Sequence, residues 1–196
     1  MVKRRKARSD IGLVMDEAVG RLRDVIIEKA IRTDGPFTLS SGGVSDWYLD
    51  LRQVTFDGAG ARLVGACVAS VLHAEAVAVG GLTMGADPIA VATAISASEQ
   101  ERNLRSFSIR KQAKAHGIGG KLVGPVGRGD KVVIVEDTTT TGGAIVEVLE
   151  AAREEGLVVL DVICLVDRSQ GVAESRLREF EVPFKSLLTP GDFGFS

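Results

Sequence analysis

Apolar residues along this chain of 196 residues occur in short continuous runs that alternate with stretches of helical spacing. The clearest run is Val-Val-Ile-Val at 132–135, where four β-forming residues follow one another without a polar one. Such a run predicts a strand buried on both faces, as in the centre of a parallel sheet. Similar runs lie at 75–80 and 157–166, and helical spacing lies at 15–31, 58–73 and 145–155. The alternation predicts an α/β fold in which helices flank a central, mostly parallel, twisted sheet.

The segment 37–52 has a different pattern. Its apolar residues Trp47, Leu49 and Leu51 alternate with polar ones, which predicts a strand with one apolar and one polar face. Tyr48 lies on the polar face, and we expect it to stack on a flat ligand. For Trp47 two interpretations stay open, an anchor for a small antiparallel lobe or a contact with ligand.

Composition narrows the classes of protein that this sequence can encode. The formal net charge is −2, so there is no overall basic field, and we expect no nucleic-acid partner. No apolar run reaches the roughly 18 residues of a membrane span, so we expect no membrane association. Cys67 and Cys164 both lie in apolar runs without the spacing of metal ligands. We expect buried free thiols, which fit a cytoplasmic protein.

Five Lys and Arg residues lie within the first eight positions, without the apolar segment of a signal peptide. We expect a disordered, solvated tail over 1–10. The remaining residues, 11–196, suit a single domain, since no linker or internal repeat interrupts them.

Two acids, Glu136 and Asp137, directly follow the central run, and four threonines and two glycines precede the next helical stretch. A strand, a loop of this composition and a helix N-terminus together point N–H and hydroxyl groups at one spot, as in a phosphate-binding site. Neither G-x-G-x-x-G nor a Walker sequence is present at this loop. The alternative is an ordinary Thr-rich helix cap. Adjacent acids at the carboxyl end of a buried strand favour a ligand site.

Two further groups of charged residues follow strands. Three cations and a histidine lie within 110–116, and a glycine-rich stretch continues to 129. We expect a mobile lid rather than a solvated surface loop. Arg168 follows the run 157–166 and is placed for bidentate binding of a carboxylate. The alternative for Arg168 is an ion pair with Asp167 or with an acid on a helix.

Four motifs, in this order, resemble those of the orotate phosphoribosyltransferases, which are type I phosphoribosyltransferases. They are F-x-L-x-S-G-x-x-S-x-x-Y-x-D-x-R at 37–52, the glycine-rich loop at 80–90, R-K-x-A-K-x-H-G at 110–117 and the acid–Thr/Gly loop at 136–143. The resemblance covers nearly the whole chain after the tail. This chain departs from the family pattern at two places. Ser40 stands where many members carry lysine, and Met84-Gly85 stands where some members carry Tyr-Lys.

The resemblance implies the type I phosphoribosyltransferase fold, with a small hood (about 11–56 plus the C-terminal segment) over a core of about 57–170. It implies transfer of phosphoribosyl from phosphoribosyl pyrophosphate (PRPP) to orotate, giving orotidine 5′-monophosphate and pyrophosphate in pyrimidine (UMP) biosynthesis. A phosphoribosyltransferase for another base and a PRPP-sensing regulator are the alternatives.

The resemblance also implies roles for individual residues. The expected catalytic residues are Lys111, Lys114, His116 and Asp137. The expected PRPP contacts are Arg110, Lys111, Lys114, His116, Glu136, Asp137, Thr138, Thr139, Thr140, Thr141, Gly142, Gly143 and Ala144. The expected orotate contacts are Tyr48, Thr140 and Arg168. Mg²⁺ would be held mainly by PRPP oxygens and water, without a firm protein ligand, and the lid would be shared across a homodimer.

Overall fold

The structure, a computed structural model, describes residues 2–38, 44–112 and 120–195. The helices of these ranges are α1 (Val2–Lys29), α2 (Arg52–Thr55), α3 (Gly58–Val71), α4 (Ala86–Ser98), α5 (Gly143–Glu154) and α6 (Val172–Leu177), with 3-10 turns at Arg178–Phe180 and Pro190–Phe193. The strands are β1 (Ile31–Arg32), β2 (Phe37–Thr38), β3 (Val44–Ser45), β4 (Tyr48–Leu49), β5 (Ala78–Leu82), β6 (Arg105–Ile109), β7 (Leu122–Val123), β8 (Lys131–Thr139), β9 (Val158–Asp167) and β10 (Phe184–Leu188).

Six strands form the central sheet, in the order β10-β9-β8-β5-β6-β7. All neighbours are parallel except β7, which pairs antiparallel with β6. The predicted mostly parallel α/β sheet is therefore confirmed. The chain runs from β5 to β6 on one side and then returns to β8 on the other side of β5. At such a switch point the loops diverge and leave a crevice at the carboxyl ends of the strands.

Helices cover both faces of this sheet. The side chains of the central strand β8 pack against helices on each face. Val133 and Val135 pack in one apolar cluster with residues of α1, α3 and α4. Val132 and Ile134 pack in a second cluster with residues of α5 and with Leu177. All four side chains are fully buried. The run at 132–135 is thus the two-sided strand that its continuous apolar character predicts.

Helix α1 begins earlier than the hydrophobic spacing indicates. The backbone is helical from Val2. The disordered, solvated tail expected over 1–10 stays a prediction. The physical reason for the helical backbone is composition, since residues 2–11 hold neither Gly nor Pro and are rich in the helix formers Lys, Arg and Ala. The helix can therefore extend backward from its anchored part, where Leu22 and Ile26 are fully buried. No helix among the described residues is long and apolar enough to cross a membrane.

The strand predicted over 47–52 is shorter in the structure. Strand β4 holds only two residues, paired antiparallel with β1. The expected alternation of burial is present, since Leu49 and Leu51 are buried and Tyr48 is exposed. The strand ends because the Asp50 carboxylate accepts the amide N–H of Arg52, with an N–O distance of 3.2 Å, where α2 begins. Ser40, one of the two departures from the family pattern, lies outside the described residues.

Candidate active site

Two carboxyl groups stand at the end of β8, beside the switch point. Glu136 is 8% exposed, and its Oε2 atom has no hydrogen-bond partner among the described residues. Burial, with Asp137 next to it, raises the pKa of Glu136 to about 8, and Lys111 acts in the opposite direction. Burial also raises the pKa of Asp137, whereas the Thr138 amide and Arg52 lower it. The pair is thus a desolvated acceptor site that favours hydrogen-bond donors or positive charge.

The turn between β5 and α4 packs directly on Asp137. A Cβ atom placed on Gly85 would lie 3.0 Å from the Cγ and Oδ1 atoms of Asp137, so a side chain here would require this carboxylate to shift by a few tenths of an ångström. The glycines at 80 and 81 of the same motif serve the packing of the sheet. They lie inside β5, where a Cβ would come within 2.3 Å of the carbonyl oxygens of Phe107 and Val135. Their absent side chains let the three strands and α4 pack closely.

The loop after Asp137 has the form of a phosphate-binding turn. The Thr138 amide donates to the Asp137 carboxylate at 2.7 Å, and the Gly142 amide donates to the buried Thr139 hydroxyl at 3.0 Å. Gly142 adopts φ +74°, in the left-handed region, and leads into α5. The first N–H groups of a helix have no intrahelical acceptor and so are available to an anion. Thr140 and Thr141 are exposed residues, and their amides donate to no other described residue.

A cavity of about 570 Å³ lies over these groups at the switch point. Of the predicted site residues it is lined by Tyr48, Lys111, Glu136, Asp137, Thr138 and Ala144. The structure thus brings together residues from the hood, the lid segment and the central loop. Predicted residues that do not line it are Arg110, Thr139, Thr140, Thr141, Gly142, Gly143 and Arg168. Lys114 and His116 lie outside the described residues.

The cavity wall also contains residues to which the sequence assigned no role. Asp50 and Arg52 form an ion pair of 2.7 Å there, and Arg52 acts on the pKa of Asp137. The signal that could have found them is their place on the polar face of the pattern that contains Tyr48. Thr83 and Met84 complete the wall beside Gly85, and the peptide bond between them is cis. Met84 is 57% exposed, so its side chain opens to solvent at this part of the wall.

Arg168 follows β9, as predicted, and its backbone N–H donates to the Thr139 carbonyl at 2.8 Å. Its guanidinium lies over the Trp47 ring, with 4.4 Å from Cζ to the ring centroid. The alternative ion pair with Asp167 is not formed, because Asp167 accepts the Ser169 amide at 2.8 Å and no carboxylate of a described residue lies within 4 Å of Arg168. Burial lowers the pKa of Arg168, and nearby Tyr48 opposes this shift.

The carboxyl groups of the site are the candidate protein ligands of Mg²⁺. The described residues contain no group of three or more His, Cys, Asp or Glu side chains that could hold a metal ion. Mg²⁺ commonly keeps several waters and binds through one or two carboxylates plus substrate phosphates. Glu136 and Asp137 fit that second mode, because both line the cavity and Glu136 has an unpaired buried oxygen.

Fold and site together define a phosphoribosyltransferase. Residues 59–186 match the family model described as the phosphoribosyl transferase domain. An orotate phosphoribosyltransferase of Streptomyces avermitilis is 42% identical over 181 residues, covering 92% of this chain and 99% of that protein. One of Streptomyces coelicolor is 44% identical and covers 87% and 93%. The chain therefore belongs to the orotate phosphoribosyltransferase family.

Solved structures agree with this assignment. The orotate phosphoribosyltransferase of Mycobacterium tuberculosis, in complex with Fe(III) dicitrate, aligns with a TM-score of 0.81 at 33% identity, over 91% of this chain and 99% of that one. Its complex with PRPP aligns with a TM-score of 0.75 over the same shares. An adenine phosphoribosyltransferase of Leishmania donovani shares the fold at 14% identity, with a TM-score of 0.61.

Proposed function

We propose that this protein transfers the phosphoribosyl group of PRPP to orotate, giving orotidine 5′-monophosphate and pyrophosphate for UMP biosynthesis. The observation that carries the proposal is the cavity at the switch point. Two desolvated carboxyl groups line it together with Lys111, Tyr48 and the two ends of the Thr/Gly loop, Thr138 and Ala144. These groups match the three parts of PRPP and a flat acceptor.

The central loop would bind the phosphoribosyl group. Backbone N–H groups and hydroxyls from Thr138 to Ala144 suit the 5′-phosphate, since they are donors at a helix N-terminus. Glu136 and Asp137 suit the 2′- and 3′-hydroxyls of ribose. Cleavage of the C1–O bond develops positive charge on the ribose ring, and carboxylates held in a dry site stabilise such charge strongly.

The lid residues would bind the pyrophosphate, which gains negative charge as it leaves. Lys111 is exposed at the mouth of the cavity, and Arg110, Lys114 and His116 belong to the same motif. Closing these cations over the leaving group would neutralise it and exclude water. Mg²⁺ would be held mainly by PRPP oxygens and water, with Glu136 and Asp137 as the carboxyl groups that could assist, and it would supply positive charge that stabilises the leaving pyrophosphate.

The acceptor would lie between Tyr48 and the Thr140 backbone, with its carboxylate on Arg168. An acceptor ring nitrogen attacks C1 directly, so no protein nucleophile is needed, and positioning supplies much of the catalysis. The absence of a carboxylate partner for Arg168 among the described residues supports an anionic acceptor over an uncharged purine.

The decisive experiment follows the loss of orotate absorbance after the protein is mixed with PRPP and Mg²⁺. We expect absorbance to fall with wild type and to fall at least a hundredfold more slowly with Asp137→Asn. Turnover of a purine without turnover of orotate would identify a phosphoribosyltransferase for another base. Binding of PRPP without turnover of any base would identify a PRPP-sensing regulator.

We also propose that the enzyme is a homodimer in which Lys114 and His116 of one subunit act at the site of the other. Helix α4 supports this, since Val91 and Ile95 are 50% and 58% exposed on adjacent turns of a helix that begins at the cavity wall. Such a face suits a protein contact. The buried free thiols of Cys67 and Cys164 support a cytoplasmic enzyme.

A further inference from the structure

Trp47 is contacted by two side chains from distant parts of the chain. The Arg168 guanidinium, after β9, lies over its ring at 4.4 Å. The Phe195 ring, near the C-terminus, stacks on it with a centroid distance of 4.5 Å and an interplanar angle of 6°. Trp47 is half-buried and packs against the core cluster of α1, α3 and α4, so the stack has a fixed base.

The position of Phe195 is built by the C-terminal segment. After β10, Thr189 and Asp192 form a capping box around the 3-10 turn, with hydrogen bonds of 2.7 and 2.8 Å to the Asp192 carboxylate. Gly194 then adopts φ +80°, a left-handed conformation that glycine tolerates, and reverses the chain. The Phe195 amide donates to the Pro190 carbonyl at 3.0 Å. Phe193 packs against the core.

The stack leaves Arg168 with its binding edges open. A guanidinium has five N–H donors in its own plane, so contact of its face with an aromatic ring does not use them. The hydrogen bonds and ion pairs of the described residues include none from the Arg168 side chain. Arg168 is therefore a half-buried cation whose plane is set by Trp47 and whose donors have no protein acceptor in the described part of the chain.

We propose that Trp47 and Phe195 are positioning residues for the acceptor: they orient the Arg168 guanidinium so that two of its N–H groups meet the acceptor's carboxylate together. This inference rests on the proposed function and adds the C-terminal segment to the acceptor site. A guanidinium ordered before binding loses less entropy when the carboxylate arrives, so the benefit falls on acceptor affinity. The stack joins Trp47 to Arg168 and Phe195 and includes none of the residues proposed to bind PRPP, so PRPP affinity should not depend on it.

The test is steady-state kinetics of Phe195→Ala, with each substrate varied in turn. We expect the KM for orotate to rise roughly tenfold, because the stacking that orders Arg168 is weakened. The KM for PRPP should stay within about twofold. Phe195→Tyr keeps a flat ring and should restore the KM for orotate. Inhibition by uracil, which has the same ring without the carboxylate, should be unchanged, because uracil has nothing for Arg168 to bind.

A second variant and a control separate this role from a loss of packing. Phe195→Leu keeps apolar volume without a ring, so it should raise the KM for orotate in the same direction. Phe180→Ala is the matched control, because Phe180 also lies beside an arginine, with the Arg153 Cζ 4.8 Å from its ring centroid, and lines no part of the cavity. It should leave both KM values unchanged.

The possible outcomes are distinct. If wild type does not consume orotate, the proposed function fails. If wild type is active and Phe195→Ala has an unchanged KM for orotate, the positioning role alone is overturned. Equal increases in the KM for PRPP, or in the uracil inhibition constant, would also overturn it, since a general loosening of the site would then explain the data.

Discussion

At Glu136 the cost of burying a carboxyl group is set against its proposed role in ligand binding. It lies at the end of a fully buried strand segment and is 8% exposed, with one carboxyl oxygen unpaired among the described residues. A carboxylate in this position is costly, and its pKa of about 8 expresses that cost. A purely structural site would carry an apolar residue here. The carboxyl group is retained because it can accept hydrogen bonds from a ligand, which we propose to be ribose.

Removal of this charge should stabilise the free protein at high pH. Between pH 5 and 8 the folded protein holds a proton on Glu136 that the unfolded chain has released, so the free energy of unfolding falls as pH rises. Glu136→Gln carries no such charge. The free energy of unfolding of the variant, relative to that of wild type, should therefore increase by up to about 1.4 kcal/mol for each pH unit between 5 and 8.

Urea unfolding at pH 5 and pH 8.5 measures this difference. The matched control is Glu150→Gln, at an exposed position of α5. If the free energy of unfolding of Glu136→Gln exceeds that of wild type by the same amount at both pH values, the stabilising effect does not come from the buried charge. Activity of Glu136→Gln should fall at both pH values.

Gly85 offers a second residue-scale prediction. Its backbone is helical, with φ −60°, so alanine costs no backbone strain, yet the new Cβ would lie 3.0 Å from the Asp137 carboxylate. Gly85→Ala should displace that carboxylate and lower kcat between roughly tenfold and a hundredfold, with little change in stability. Gly58→Ala is the control, because a Cβ there meets nothing within 4 Å. Equal kcat values for both variants and wild type would contradict the role assigned to Gly85.

At the scale of elements, the pairing of β8 with β9 shows how a strand can carry a buried charge. The register shifts between Val132 and Val133, whose partners on β9 are Val159 and Asp161. Beyond this bulge Asp161 is 1% exposed, and Lys185 of the neighbouring β10 donates to its carboxylate. The other oxygen, Oδ1, has no partner among the described residues. The buried Asp161 carboxylate therefore has one lysine as its partner among the described residues.

Lys185→Met should destabilise the protein by on the order of 2 kcal/mol, because it leaves a buried carboxylate unpaired, although the lysine itself is half exposed. Lys131→Met is the matched control. That lysine pairs with Glu75 where both side chains are exposed, so its loss should cost less than about 1 kcal/mol. Chemical unfolding of both variants compares them. Adding Asp161→Asn to Lys185→Met should recover part of the loss; failure to do so would place the cost elsewhere.

At the scale of the whole molecule, the switch point brings together segments that lie far apart in sequence. Residues from the hood, the β5–α4 turn, the lid segment and β8 all line one cavity. The Arg168–Trp47–Phe195 stack adds β9 and the C-terminal segment to the same end of the sheet. The proposed dimer would extend this principle across two chains.

Mixing two inactive variants tests that sharing. Lys114→Ala lacks a lid cation, and Asp137→Asn lacks the core carboxylate. In a mixed dimer with shared lids one of the two sites has both groups intact, so an equal mixture should recover about a quarter of wild-type activity. The control mixes Lys114→Ala with the double variant Lys114→Ala/Asp137→Asn, which supplies no intact lid. Recovery in the control, or none in the first mixture, would argue for self-contained subunits.

Much of this organisation follows from local pattern. The run at 132–135 predicts a two-sided strand because every residue in it is apolar, and the following acids and threonines predict a binding loop at its carboxyl end. The strand over 47–52 was predicted less well, because the Asp50 carboxylate accepts the Arg52 amide where the chain turns into α2.

The sequence by itself determined the fold class, the identity of the central loop and the position of the chemistry at strand ends, because these depend on periodicity and on residues adjacent in the chain. Only the tertiary structure decided which distant groups meet. It places Gly85 against Asp137, Arg52 beside the carboxyl pair, and Trp47 between Arg168 and the segment that carries Phe195. Such contacts depend on how the strands are connected and packed. A local sequence pattern does not determine which distant residues come into contact.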